Sequence, residues 1–290
     1  MSIDRGIDAR AETVPSQADA RPRAVVELRG ATLAYGTRVL WSDLDLTVRP
    51  GEFIAVLGPN GSGKTSLLRV LLGQQRLAAG TVRVVGESPG RANPRIGYIP
   101  QQRALEPTVT MRGRDLVGLG WDGHRWGLGI AGMRDRRRRV DAALEAVGAG
   151  RYADAPVGRL SGGEQQRLRV AQALVGDPWL LLCDEPLLSL DLAHQRVVSR
   201  LIDARRRAAD TAVLFVTHEI NPVLPLVDRV LYMVDGRFRI GAPEDVMTSA
   251  TLSELYKTKV EVLRVGGQIH VVGAQSGLCE DTPHHHHEVS

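Results

Sequence analysis

Three short apolar runs dominate the pattern of the chain: residues 52–57, 179–183 and 212–216. None alternates with polar positions, and turn residues bound each one. That is the pattern of strands buried on both faces. Residues 65–72 and 192–207 have helical spacing between them. Buried strands alternating with helices predict an α/β fold, a mainly parallel core sheet with helices on its faces. The front of the chain differs. Residues 25–29, 31–35, 44–48 and 81–85 alternate apolar and polar, which predicts a separate antiparallel β subdomain, with Gly30 dividing the first two strands. Residues 103–176 read as an inserted helical subdomain, with clear helical spacing at 141–147. Toward the end, 230–233 and 237–240 form a hairpin around Asp235-Gly236, 252–256 a short helix, and 260–265 with 268–272 a strand pair around Gly266-Gly267.

The organisation expected is a flexible leader (1–23), a main α/β domain (24–246), a C-terminal extension (247–273) and a polar tail (274–290). Composition refines this modestly. The chain has 290 residues, 43% hydrophobic and 24% charged, enough for a large core. The net charge of +4 owes much to Arg134 and Arg136 to Arg139. Such a run reads first as a solvated helix face, and second as a contact for anionic lipid or an acidic partner. Aromatics, at 4%, do not interleave with the basic residues, so a stacking platform for nucleic acid is not expected. Cys183 and Cys279 form no paired framework, which fits a reducing cytoplasmic setting. No signal peptide is visible, and no run approaches the roughly 18 to 20 apolar residues of a membrane span. A membrane role would require docking on a partner that spans.

The chemistry begins after the first apolar run. Gly58-Pro59-Asn60-Gly61-Ser62-Gly63-Lys64-Thr65 fits the phosphate-loop pattern, between a buried strand and a helix that continues through Ser66. Glycines let several N–H groups turn toward one anion, and the helix adds its positive end. Lys64 supplies a charge for the terminal phosphates, and the Thr65 hydroxyl is a hard oxygen suited to Mg²⁺. Alone, the loop indicates only a nucleoside triphosphatase. The second apolar run ends in Asp184-Glu185. There Asp184 is placed to hold Mg²⁺, and Glu185 to act as general base toward water. Cys183, just inside, reads as a core filler.

Leu160-Ser161-Gly162-Gly163-Glu164-Gln165-Gln166-Arg167 precedes that strand. Ser161, Gly162 and Gly163 at a helix start form a second anion nest. Here the chain resembles the ABC ATPase family, whose signature this is, and the resemblance runs from residue 25 to 241. It implies that ATP, with Mg²⁺, is bound between two chains paired head-to-tail, the phosphate loop of one facing the signature of the other. It also implies roles residue by residue. Tyr35 matches the aromatic that stacks on adenine. Gln101 matches the Q-loop glutamine, which reaches Mg²⁺ and the lytic water and senses the membrane partner. Ser189-Leu190-Asp191 matches the loop crossing the dimer seam, and His218 the switch histidine at the γ-phosphate. Lys64, Gln101, Glu185 and His218 are thus the expected catalytic group. Leu187-Leu188 depart mildly from the family pattern.

One cassette without a coiled-coil insertion resembles transporter subunits rather than DNA-repair or tandem-cassette relatives. The stretches 217–225, 228–232, 241–247 and Leu255-Tyr256 resemble ATPases of zinc/manganese importers. That resemblance implies a permease, a substrate-binding protein acting through it, and a peripheral place on the cytoplasmic face of the membrane. A cofactor-assembly ATPase, a metal-binding regulator, an exporter and a different cargo are the alternatives. His284, His285, His286 and His287 near Cys279 are candidate metal ligands, or else part of a purification tag.

Overall fold

The computed structural model describes residues 21–90, 93–101, 106–123, 133–188 and 190–273. The first twenty residues, Ser189 and the histidine-bearing tail lie outside the described residues. A six-stranded sheet forms the centre. In chain order its strands are β3 (Phe53–Leu57), β5 (Ile96–Ile99), β6 (Leu180–Asp184), β7 (Ala212–Val216), β8 (Arg229–Val234) and β9 (Arg237–Gly241). Their spatial order is β5-β6-β7-β3-β8-β9, parallel except for the antiparallel edge pair β8–β9.

The apolar runs are buried on both faces, as expected, and their side chains sort with period two. From β6, Leu181 and Cys183 join Val213 and Phe215 of β7 and Phe53 of β3 on one face. The alternate positions Leu180, Leu182, Leu214, Ile54 and Val56 face the other way. The first face is covered by α2 (Gly113–Asp122), α3 (Met133–Ala146) and α4 (Gly162–Leu174), and by α5 (Leu192–Ala209) through Val198 and Ile202. The second is covered by α1 (Lys64–Leu71) and by an antiparallel sheet of β1 (Val26–Tyr35), β2 (Arg38–Val48) and β4 (Ala79–Val84), in the order β2-β1-β4.

That antiparallel sheet corrects one expectation. Gly30 does not separate two strands. β1 is one strand, Val26–Tyr35, with register shifts beyond Leu28, and β2 is likewise longer, Arg38–Val48. Gly30 sits at φ +53 with its N–H donating to Asp45, so the irregularity is absorbed inside the strand. β4 spans Ala79–Val84. At the C-terminus, α6 (Pro243–Val246), α7 (Ser249–Tyr256) and the hairpin of β10 (Glu261–Val265) and β11 (Gln268–Val272) follow. They pack through Val246, Leu252, Leu255, Val260 and Ile269 onto Ala55, Leu57, Val230 and Tyr232.

The arginine run lies on α3 as expected, but much of it is paired. Arg136 donates to Asp122 at 2.6 Å and Arg139 to Asp177 at 2.7 Å, with the Arg139 guanidinium over the Trp121 ring. Arg137 and Arg138 are exposed, and they too pair on the helix surface, Arg137 with Asp141 at 3.8 Å and Arg138 with Asp135 at 2.7 Å. Among the described residues no helix is long and apolar enough to cross a membrane.

Candidate nucleotide site

The functional positions collect where parallel strands end. β3 runs into the phosphate loop, β6 into Asp184-Glu185, and β7 through Thr217 into His218. The pairing Asp184↔Val216 and Val56↔Val216 sets these three strand ends side by side. Ligand sites form at this end of open parallel sheets because loops diverge there and leave a crevice.

The loop geometry is specific to glycine. A Cβ on Gly58 would stand 2.0 Å from the Met233 carbonyl oxygen, and one on Gly63, at φ +95, would stand 2.8 Å from the Trp41 ring. Gly63 is the N-cap of α1, with no side-chain cap, so the first amides of the helix are free to meet an anion. The buried Ser62 hydroxyl has no protein partner. The Lys64 ammonium is buried against two loop carbonyls, donating to Gly58 and Pro59 at 2.8 Å each. Burial pulls its pKa down, while Glu185 and Asp184 raise it. Such a cradle, with an unpartnered hydroxyl and a buried cation, fits a phosphate chain.

Thr65 donates its hydroxyl to Asp184 at 3.0 Å, so two hard oxygens from α1 and β6 share one spot. Burial raises the Asp184 carboxyl above its ordinary range, the Thr65 hydrogen bond opposes this, and Glu185 adds repulsion. The pair fits Mg²⁺, which takes oxygen ligands and would offset that charge. Tyr98 of β5 was not singled out from the sequence. Burial, followed by the nearby Asp184 carboxylate, pushes its pKa up to about 12.

Glu185 lies at φ +47, a left-handed backbone that few non-glycine residues adopt. Its N–H donates to the Val216 carbonyl at 3.0 Å. His218 Nδ1 stands 3.5 Å from Glu185 Oε2. Both side chains line a cavity of about 100 Å³ with Leu187, Leu188, Gln195 and Pro222. Leu187 is buried in the core beneath, which gives that unusual residue a packing role. Gln101 follows β5, two residues beyond Ile99, which pairs with Cys183, so it leaves the sheet beside the acidic pair. Tyr35 is half exposed, and its hydroxyl reaches Gln75 at 2.5 Å and Ser66 at 3.4 Å, which sets its ring beside the phosphate loop. Asn60 and Gly61 are exposed at the loop's rim.

The signature lies at the start of α4. Ser161 is the N-cap and forms a reciprocal capping box with Glu164. Its N–H and hydroxyl donate to Glu164 Oε2 at 3.0 and 2.9 Å. The helix start therefore carries the carboxylate of Glu164, itself one of the residues expected at the nucleotide, bonded back to the cap. Asp191 caps α5, accepting from the His194 N–H at 2.9 Å and pairing with its Nδ1 at 2.8 Å. The imidazole packs on Gly163, where a Cβ would come within 2.8 Å of the ring. Local sequence offered no reason to select His194. Nor did it select Gln166, fully buried on α4, which donates to the Pro186 carbonyl at 2.7 Å and so braces the turn after Glu185. Among the described residues no cluster of three or more metal-ligating His, Cys, Asp or Glu side chains occurs.

Comparison with known proteins agrees with this architecture. The ABC transporter family matches over residues 41–188, half of the chain. The phosphonates import ATP-binding protein PhnC of Anaeromyxobacter dehalogenans is 38% identical over 247 residues, 82% of this chain and 49% of its own length. A spermidine/putrescine import ATP-binding protein, PotA of Oleidesulfovibrio alaskensis, is 35% identical over 227 residues, 77% of this chain and 59% of its own. The chain thus spans about half the length of the curated relatives it matches. Among solved structures, an inward-facing transporter described as of the metal-chelate type superposes with a TM-score of 0.72 at 25% identity, covering 86% of this chain and 96% of that one. The fold of MJ1267, an ATP-binding cassette of an ABC transporter in its ADP conformation, is shared at a TM-score of 0.67 and 18% identity, over 81% of this chain and 97% of that one. With the phosphate loop, the acidic strand end and the signature all in place on this fold, the chain belongs to the ABC transporter family.

Proposed function

We propose that this chain binds ATP with Mg²⁺, hydrolyses it as a head-to-tail dimer, and thereby drives a membrane permease that works as an importer. The observation that carries the reading is the convergence of the Gly58–Thr65 loop, Asp184-Glu185 and His218 at neighbouring strand ends. The signature at Ser161 to Gly163 starts a different helix, α4, and in this reading it serves the nucleotide of a second copy.

In this reading Tyr35 stacks on adenine. Gly58 to Ser66 hold the phosphates, with Ser161 to Glu164 and Asp191 of a second copy closing over them. Thr65, Gln101 and Asp184 would hold Mg²⁺, which neutralises phosphate charge when bound. The Glu185 carboxylate takes a proton from a water as its oxygen bonds to the γ-phosphorus. The bond from that phosphorus to the bridging oxygen breaks, leaving ADP and inorganic phosphate. Lys64 and His218 stabilise charge on the transferring group. Loss of the bridging phosphate lets the dimer open. The groove beside Gln101 and the helical region of 103–176 pass that motion to the permease, on the cytoplasmic face of the membrane, and a substrate-binding protein delivers cargo to the permease. The C-terminal extension, 247–273, packs on the ATPase domain of 24–246.

For cargo we take a divalent transition metal, zinc or manganese. The switch and C-terminal stretches and the metal-chelate-type structural relative support that choice. The phosphonate-import relative favours a second reading, an organic phosphonate. The test is co-expression with its permease, reconstitution into vesicles, and ATP-driven uptake of ⁶⁵Zn²⁺, Mn²⁺ and a labelled phosphonate in parallel. Uptake of a metal supports the first cargo and uptake of phosphonate the second. Failure to associate with any multi-span partner overturns the transport reading.

A further inference from the structure

The loop that carries His218 is anchored at both ends. At its start the Thr217 N–H donates to the Val56 carbonyl at 3.1 Å. The Thr217 hydroxyl donates to the Glu219 carbonyl at 2.9 Å and accepts from the Glu219 N–H at 3.1 Å, which folds the chain into a tight turn around His218. Three residues beyond His218 is the second anchor. Asn221 Nδ2 donates to the Ile269 carbonyl at 3.0 Å, and the Ile269 N–H donates to Asn221 Oδ1 at 2.8 Å. A primary amide meeting both backbone groups of one residue imitates strand pairing, and it fixes the loop in distance and in orientation.

The partner of that clamp is the β10–β11 hairpin, 48 residues away along the chain. Ile269 is the one buried position of β11, and β10 has none. Ile269 shares an apolar cluster with Ile220, the residue before Asn221, and with Leu252 and Leu255 of α7. The hairpin is therefore fastened to the switch loop by adjacent apolar and polar contacts. The His218 side chain, in contrast, is 54% exposed. Little packing fixes the ring, so its place beside Glu185 depends on where the loop is held.

We infer that Asn221 is a positioning residue for His218, and that the C-terminal hairpin serves as the splint against which it holds the switch loop. This rests on the reading of His218 as the group at the γ-phosphate. Near-attack geometry is sensitive to displacements of about 1 Å, so a slack loop slows turnover before it weakens nucleotide binding.

The test uses the full chain, with ATP affinity and single-turnover hydrolysis measured separately. For Asn221→Ala the hydrolysis rate should fall about tenfold or more. ATP affinity should stay within about twofold, because the phosphate loop is untouched. Asn221→Asp keeps the acceptor for the Ile269 N–H and loses the donor, so it should fall between Asn221→Ala and the parent. In a His218→Ala background, Asn221→Ala should slow hydrolysis no further, since the group it positions is gone. Full-rate hydrolysis by Asn221→Ala overturns the inference. So does an equal loss with and without His218, or a loss of affinity in step with rate, which marks a merely structural residue. Full-rate hydrolysis by His218→Ala alone would overturn the role of His218 instead.

Discussion

His218 Nδ1 lies 3.5 Å from Glu185 Oε2, although the two residues leave different strands. The parallel pairing of β6 with β7, in register at Asp184↔Val216, brings them there. The backbone of Glu185 is left-handed, a conformation worth about 1–3 kcal/mol of strain that the surroundings must sustain. The hydrogen bond from its N–H to Val216 and the brace from Gln166 to Pro186 do so.

Glu185→Gln should bind ATP with parental affinity, lose hydrolysis by about 10²-fold or more, and accumulate as an ATP-bound dimer. Lys64→Ala should differ in kind, weakening nucleotide binding itself because it removes the buried ammonium. Equilibrium nucleotide binding, hydrolysis and dimer mass by light scattering separate the two. Parental turnover in Glu185→Gln would remove that residue from the chemistry.

The glycines of the loop should not be equivalent. Gly61, at φ +79, has nothing within 4 Å of an added Cβ, so Gly61→Ala meets only left-handed backbone strain, about 1–2 kcal/mol. Gly58→Ala would in addition drive a methyl into the Met233 carbonyl, adding about 1–3 kcal/mol of overpacking and displacing the loop. Thermal unfolding and ATP affinity of the two variants should rank Gly58→Ala well below Gly61→Ala.

Legibility from sequence followed how local each cause is. The three central strands were readable because both their faces are covered, which leaves an uninterrupted apolar run. The phosphate loop was readable because its glycines, Lys64 and Thr65 act within eight consecutive residues. β5 was not predicted, because Ile96–Ile99 is four residues long and contains Gly97, which shows no periodicity. Gly97 is there for close approach, since a Cβ would stand 2.3 Å from the Ala173 carbonyl of α4. Irregularity at Gly30 looked like a strand break because the pairing with β2 and β4 that carries β1 through it is non-local. Gln166, His194 and Asn221 escaped for the same reason. Each is an ordinary polar residue whose partner, Pro186, Gly163 or Ile269, is fixed by tertiary packing.

Gln166 offers a stability test of the brace. It is fully buried, and its Nε2 donates to the Pro186 carbonyl at 2.7 Å. Gln166→Leu keeps most of the volume and leaves that carbonyl without its donor, for a loss of about 1–3 kcal/mol. Because Pro186 follows Glu185 directly, hydrolysis should fall with stability while ATP affinity holds. A variant as stable and as active as the parent would show that the turn is held by other contacts.

The signature helix should carry an acid limb set by Glu164. Donation from the Ser161 N–H, then from its hydroxyl, holds the Glu164 carboxyl below its usual range. A carboxyl depressed in the folded state contributes stability that is complete above the unfolded value, about 4.3 for glutamate, and that is lost as pH falls through the lower folded value. The thermal midpoint should therefore decline on acidification in that window. Glu164→Gln preserves the capping box, since Gln also reaches back to the N-cap amide, but has no proton to exchange. Its acid decline should be shallower than that of the parent, with a neutral-pH midpoint below the parent's by the charge-dependent part and converging with it in acid, whereas Glu164→Ala should be lower throughout. An unchanged acid slope in Glu164→Gln would assign the decline to other carboxylates, Asp135, Asp154 and Asp191 among them, each likewise held below its usual range by hydrogen bonds.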